Sequence, residues 1–193
     1  MTDTIKELTG KVALVTGASR GLGVAIAHAL ADEGADVAIS YVASAEKAQS
    51  VVRQLEAKGV RAAAFQTDQG DPAQAEPFIQ AVVQRLGRLD ILVNNAAVAF
   101  LGKTIDASDI ENAQLDRMWT INVAGVIANI RAAAKLLPDG GRIVTIGSGV
   151  GTRVGFPGAA DYAGTKAAVV GYRKARREIW LRGISPSMWC RPV

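Results

Sequence analysis

Tyr162 and Lys166 stand four residues apart in the segment DYAGTK, with Ser148 upstream. On a helix, residues i and i+4 share a face, so a lysine ammonium at this spacing can lie beside the phenol. A free phenol, with a pKa of about 10, carries protons poorly at neutral pH, and lowering it by about three units needs about 4 kcal/mol. One cation at ~4 Å in an effective dielectric of about 20 supplies that much. The pair is therefore chemically sufficient to move a proton to or from an oxygen atom. A second candidate is the glycine-rich turn TGASRGLG over 16–23. Gly17, Gly21 and Gly23 follow an apolar run and open a helical one. Glycines in that context allow a tight turn and let the backbone approach a pyrophosphate at a helix N-terminus. The spacing is TGxxxGxG, not GxGxxG, and a purely structural glycine turn is the plain alternative.

Elements of two periods must hold these residues. Apolar runs of strand length alternate with longer stretches of helical period, the pattern of a doubly wound α/β domain with a parallel sheet between helices. Strands are expected at Lys11–Thr16, Asp36–Ser40, Ala62–Gln66, Ile91–Asn94 and Ile143–Ile146. Helices are expected at about Leu22–Glu33, ended by Gly34, and at Ala45–Lys58, Pro72–Leu86 and Ile110–Leu137. A last helix should begin near Ala159 and run through Tyr162 and Lys166. The chain shows no internal repeat, linker or low-complexity segment.

With 193 residues and 49% apolar composition the chain can bury one sizeable core. No apolar run approaches the roughly 20 residues that span a bilayer, and the N-terminal MTDTIKELTG has no signal-peptide pattern, so a cytoplasmic protein without membrane contact is expected. The single Cys190 cannot close an internal disulfide, and no cluster has metal-ligand spacing. His28, among alanines on the first helix, reads as a packing or surface residue. The net charge of +4 is local: 173–193 hold six basic residues and one acid, which leaves 16 basic and 17 acidic among 1–172 out of totals of 22 and 18. A nearly neutral body argues against a nucleic-acid partner, although a basic-tail module binding acidic surfaces is a competing reading.

Taken together, the motifs resemble the short-chain dehydrogenase/reductase family over about residues 8–172. Besides the glycine turn, NNAA at 94–97 stands where the family carries NNAG, Asn122 lies in TINVAG, Ser148 ends VTIGS, and Tyr162 and Lys166 complete YxxxK. The branch it most resembles is the 3-oxoacyl-thioester reductases. The resemblance implies a tetrad of Asn122, Ser148, Tyr162 and Lys166. Tyr162 would give a proton to a carbonyl oxygen in reduction or take one from a hydroxyl in oxidation, while hydride passes between the substrate and a nicotinamide. Ser148 would hydrogen-bond that oxygen, Lys166 would depress the phenol and hold the ribose, and Asn122 would anchor a water relay. Each has a plain alternative: Ser148 a strand-end cap, Asn122 a satisfied core amide, Lys166 a solvated cation. The implied cofactor contacts are Gly17, Ser19, Arg20, Gly21, Leu22, Gly23, Asp68 at the adenine, Asn94, Ala96, Tyr162 and Lys166, with turn capping the plain alternative for Asp68. The partner is a small-molecule carbonyl or alcohol, and full-length relatives are expected to be homo-oligomers.

An acid at the end of the second strand would accept the 2′-hydroxyl of NAD and repel a 2′-phosphate. None occurs in Ser40–Ser44, and Arg20 can reach toward a 2′-phosphate, so NADP(H) is favoured and NAD(H) possible. After Tyr172 the family pattern stops, and 1–172 is expected to be the catalytic domain with 173–193 an atypical basic tail. Read one base out of frame, Lys174–Pro192 can encode GAARDLAPRNITVNVVQAG, in which the single codons of Met188 and Trp189 force two valines. The expectation is thus a C-terminally truncated, frameshifted member, and the alternative function is a nucleotide-binding remnant without turnover.

Overall fold

The computed structural model describes residues 6–179. Five parallel strands, β1 (Val12–Val15), β2 (Asp36–Tyr41), β3 (Ala62–Gln66), β4 (Ile91–Asn94) and β5 (Arg142–Thr145), form one sheet in the order β3-β2-β1-β4-β5. β1 is buried at all four positions, as a central parallel strand covered on both faces must be. Val15 lies opposite Ile39 on one side and Val93 on the other.

Among the described residues six α-helices flank the sheet: α1 (Gly21–Asp32), α2 (Ala45–Glu56), α3 (Ala75–Leu86), α4 (Asn112–Trp119), α5 (Val126–Ala134) and α6 (Ala160–Ile179). Alternate strand residues feed two apolar layers. Val15, Val37, Ile39 and Val93 pack with Ala27 and Ala31 of α1 and Val51, Val52 and Leu55 of α2. Val12, Leu14, Ala38 and Leu92 pack with Phe78, Ile79 and Val82 of α3 and with Ala132 and Ala133 of α5. A smaller cluster of Val126, Ile130 and Val169 seats α6 on α5. Burying a side chain such as Leu14 or Ile39 contributes about 2 kcal/mol. At the N-terminal edge of β1 and β4 the buried Asp90 accepts from the Val12 backbone N–H at 3.0 Å and from Arg88 Nε at 2.8 Å and Nη2 at 2.7 Å, with Lys11 Nζ at 3.7 Å.

The strands agree with the expected ranges to within one residue at either end. Two helices do not. Pro72–Gln74 is a 3-10 turn whose Asp71 side chain accepts from the Ala73 N–H at 3.1 Å, and the α-helix begins only at Ala75. The single helix expected over 110–137 is α4, then a π-helical turn at Thr120–Gly125, then α5. The atypical tail begins, in its described part, as a continuation of α6 to Ile179. The rest of the tail, on which the frameshift expectation falls, lies outside the described residues.

Candidate active site

In an open parallel sheet the crevice for a ligand lies at the carboxyl ends of the strands, where the strand order reverses. Here that point falls between β1 and β4, and the residues picked out by sequence gather around it. Thr16 follows β1 and is buried; its Oγ1 accepts from the N–H groups of Asn95 at 3.1 Å and Ala96 at 3.0 Å. Asn95 Nδ2 returns a bond to the Thr16 carbonyl at 2.8 Å. Gly17 has φ +66°, and a Cβ there would meet the Cα and Cβ of Ala96 at 2.9 Å. The turn and the end of β4 thus touch backbone to backbone, which only glycine permits. Gly17 N–H also donates to Ser40 Oγ at 3.1 Å, tying in the end of β2. Ser19, Arg20, Gly21, Leu22 and Gly23 complete the turn and open α1, with Gly23 buried and Arg20 and Leu22 exposed.

Asn94 ends β4, buried; its Nδ2 reaches Thr145 Oγ1 at 3.5 Å, and its Oδ1 has no donor among the described residues. Asp68 lies beyond the end of β3. It does cap a turn, accepting from the Gly70 N–H at 2.8 Å, and it also pairs with Arg117 of α4, Nη2 to Oδ1 at 2.7 Å. The Arg117 guanidinium lies against Gly70, where any side chain would displace it. The hydrogen bonds from Arg117, above all, hold the Asp68 carboxyl below the usual carboxylate range.

The π-helical turn carries Asn122, and its side chain is fully engaged. Oδ1 accepts from the Val98 N–H at 2.9 Å, and Nδ2 donates to the Val98 carbonyl at 2.8 Å and to Thr165 Oγ1 at 3.2 Å. Thr165 in turn donates to the Tyr162 carbonyl at 2.7 Å, so Asn122 braces the first turns of α6. Among the described residues no hydrogen bond joins Asn122 directly to Lys166. Ser148 follows β5 and caps a 3-10 turn, its Oγ accepting from the Val150 N–H at 3.4 Å. The plain roles foreseen for Asn122 and Ser148 are therefore present.

Lys166 departs from its plain role. It is no solvated cation: the residue is 6% exposed, and Nζ donates to the Ile146 carbonyl at 3.0 Å, two residues before Ser148. Nζ lies 5.8 Å from the centroid of the Tyr162 ring. Burial pushes the Lys166 ammonium below the usual lysine range. His28 sits at the surface beside Gln54, Nε2 to Oε1 3.1 Å, and takes no part in the site. Among the described residues no helix is long and apolar enough to cross a membrane.

Sequence reasoning missed Gln69 and Arg117. Gln69 lies between elements and Arg117 on the expected 110–137 helix, and in both cases only the tertiary partners mark the residue.

The sequence pattern of the short chain dehydrogenase family matches residues 11–188, reaching past Tyr172. An uncharacterized oxidoreductase of Methylorubrum extorquens is 40% identical over 188 residues, 94% of this chain and 74% of that protein. The 3-oxoacyl-[acyl-carrier-protein] reductase of Staphylococcus aureus is 42% identical over 178 residues, 91% of this chain and 71% of that protein. A short chain dehydrogenase of Burkholderia cenocepacia, solved in complex with NADP, superposes with a TM-score of 0.87 at 47% identity, covering 93% of this chain and 72% of that one. With a doubly wound sheet, a glycine turn at its switch point and Tyr162 and Lys166 on one helix above the end of β5, the chain belongs to the short-chain dehydrogenase family and is by family an NAD(P)-dependent oxidoreductase.

Proposed function

We propose that this chain reduces a small-molecule carbonyl, or oxidises the corresponding secondary alcohol, with NADP(H) as the redox partner and Tyr162 as acid and base. The observation that carries the reading is the buried ammonium of Lys166 beside the Tyr162 ring, one helical turn along α6. When bound, the nicotinamide supplies or takes the hydride. Tyr162 gives its phenolic proton to the carbonyl oxygen or receives one from the hydroxyl, and the Lys166 charge favours the phenolate that results. Ser148 steadies the same oxygen with its hydroxyl. Asn122 holds Val98 and Thr165 and so keeps both walls of the site in place.

The residues present fit the cofactor. The glycine turn at the start of α1, where Gly21 has φ +58° and nothing within 4 Å of where a Cβ would stand, suits a pyrophosphate. Arg20 is exposed there, has no ion-pair partner among the described residues, and faces no acid on Ser40–Ser44, which suits a 2′-phosphate. Ser19 and Leu22 would border the phosphates, Asp68 the adenine, and Asn94, Ala96, Tyr162 and Lys166 the nicotinamide ribose. The relative solved with NADP supports this choice. Residues 1–172 would act as the catalytic domain of a cytoplasmic homo-oligomer, on an acyl thioester if the resemblance to the reductase of Staphylococcus aureus extends to substrate.

Tyr162→Phe tests the chemistry. It should abolish turnover of a 3-oxoacyl thioester with NADPH and leave NADPH affinity within about twofold; retained turnover would overturn the assignment of the acid. A second reading, nucleotide binding without turnover, draws on the plain capping role of Ser148, whose Oγ accepts from the Val150 N–H at 3.4 Å. Saturable NADPH binding by the 193-residue chain with no carbonyl reduction would favour it.

A further inference from the structure

Gln69, next to Asp68, has a side-chain amide whose partners lie on three separate parts of the fold. Its Nε2 donates to the Ala96 carbonyl and to the Ile121 carbonyl, both at 2.9 Å, and its Oε1 accepts from Asn129 Nδ2 at 3.2 Å. Both donors and the acceptor oxygen are thus engaged. Asn129 is buried on α5, Ala96 lies just beyond β4, and Ile121 is in the π-helical turn immediately before Asn122. A π turn shifts backbone carbonyls away from their α-helical donors, and Gln69 serves one of them. The backbone at 69 is wedged against the same turn, since a side chain at Gly125 would collide with the Gln69 carbonyl oxygen. Gln69 and Asn122 therefore grip one short segment from two sides, Gln69 at Ala96 and Asn122 at both polar backbone groups of Val98. From Asn122 the hydrogen bonds continue through Thr165 to the Tyr162 carbonyl.

We propose that Gln69 is a positioning residue for the site: its amide fixes the π-helical turn and the 96–98 segment in the register that lets Asn122 brace α6 under Tyr162 and Lys166. The proposal rests on the catalytic reading given above for what that register serves, but the geometry it asserts can be tested without turnover. Gln69→Glu keeps the shape and replaces both donors by an oxygen. Ionised, that side chain faces the carbonyls of Ala96 and Ile121 and repels them; protonated, it can donate to one. Gln69→Leu removes every polar contact at all pH values.

Two measurements on the full chain decide the matter. Hydrogen exchange on the cofactor-free protein should show the Val98 amide and the amides of 121–125 exchanging at least about tenfold faster in Gln69→Leu than in the wild type. Turnover with NADPH should fall about tenfold or more in kcat for both variants, with KM for NADPH changed by less than about threefold. In Gln69→Glu alone, both the exchange rates and kcat should recover toward wild type as the pH is lowered and the carboxylate takes up a proton. Unchanged exchange at Val98 in folded Gln69→Leu, or a Gln69→Glu defect that ignores pH, would overturn the proposal and leave Gln69 as packing. If Gln69→Leu does not fold, the pH recovery of Gln69→Glu decides by itself. A wild-type chain that binds NADPH but reduces no carbonyl would instead defeat the catalytic reading, with the exchange result still judging Gln69.

Discussion

Lys166 carries two opposed demands. A buried cation acts more strongly on a nearby phenol because the local dielectric is low, and the same burial disfavours its charge. Its folded value lies below the ordinary 10.5. The unfolded chain therefore binds the proton more tightly. Stability associated with this group is present above pH 10.5, is lost as the pH falls through the lower folded value, and stays lost below it. Lys166→Met should lack this slope, so urea unfolding of the two proteins between about pH 8 and 11 should show the wild type gaining on the variant as the pH rises. A parallel pair of curves would mean that the ammonium is well solvated. Arg20 is the complementary case, an exposed cation proposed above to meet the 2′-phosphate. Arg20→Ala should raise the Kd for NADPH about tenfold or more and that for NADH by less than about twofold, as fluorescence titration would show. Equal losses for both dinucleotides would remove Arg20 from the 2′-phosphate.

At the scale of elements, what the chain spells out locally was legible before the structure and what depends on distant partners was not. The buried run of β1, the alternating layers of β2 and β4, and the glycine turn into α1 all follow from composition and period. So does the shared face of Tyr162 and Lys166 on α6. The π-helical turn does not: TINVAG, with three β-branched residues, an asparagine and a glycine, is weak helix-forming sequence that says nothing of a π turn, and its Ile121 carbonyl is held by Gln69, 52 residues earlier. The same holds for the Asp68–Arg117 pair, which spans 49 residues; the split of the helix after Pro72 is instead a local matter, Asp71 capping a 3-10 turn two residues on. Asp90 tests how a contact between residues 78 apart in sequence sets strand register. Its carboxylate, 5% exposed, holds the Val12 N–H at the start of β1. Asp90→Ala should cost about 2 kcal/mol through the unpaired N–H, which corresponds to a fall in Tm of about 4–8 °C by calorimetry. An unchanged Tm would show that water replaces the carboxylate freely.

For the molecule as a whole, strand order decides where the two ends of the proposed site meet. β1 lies in the middle, with β2 and β3 on one side and β4 and β5 on the other. The glycine turn and the NNAA segment come from opposite halves of the sheet, and Tyr162 and Lys166 from a helix later still. The bond that closes the switch point, Asn95 N–H to Thr16 Oγ1, spans 79 residues. That separation has a temporal meaning. As the chain leaves the ribosome, β1, α1, β2, α2 and β3 can pair and pack first, while one edge of β1 stays open until β4 follows. The phosphate turn would exist early, yet nothing would hold its far wall. Nascent chains arrested with residues up to about 85 exposed should therefore adopt the first half of the sheet and fail to retain NADPH, whereas chains exposing β5 and α6 should retain it. Dinucleotide would act as a late chaperone of this fold, rewarding completion of the second half and giving no help to the first.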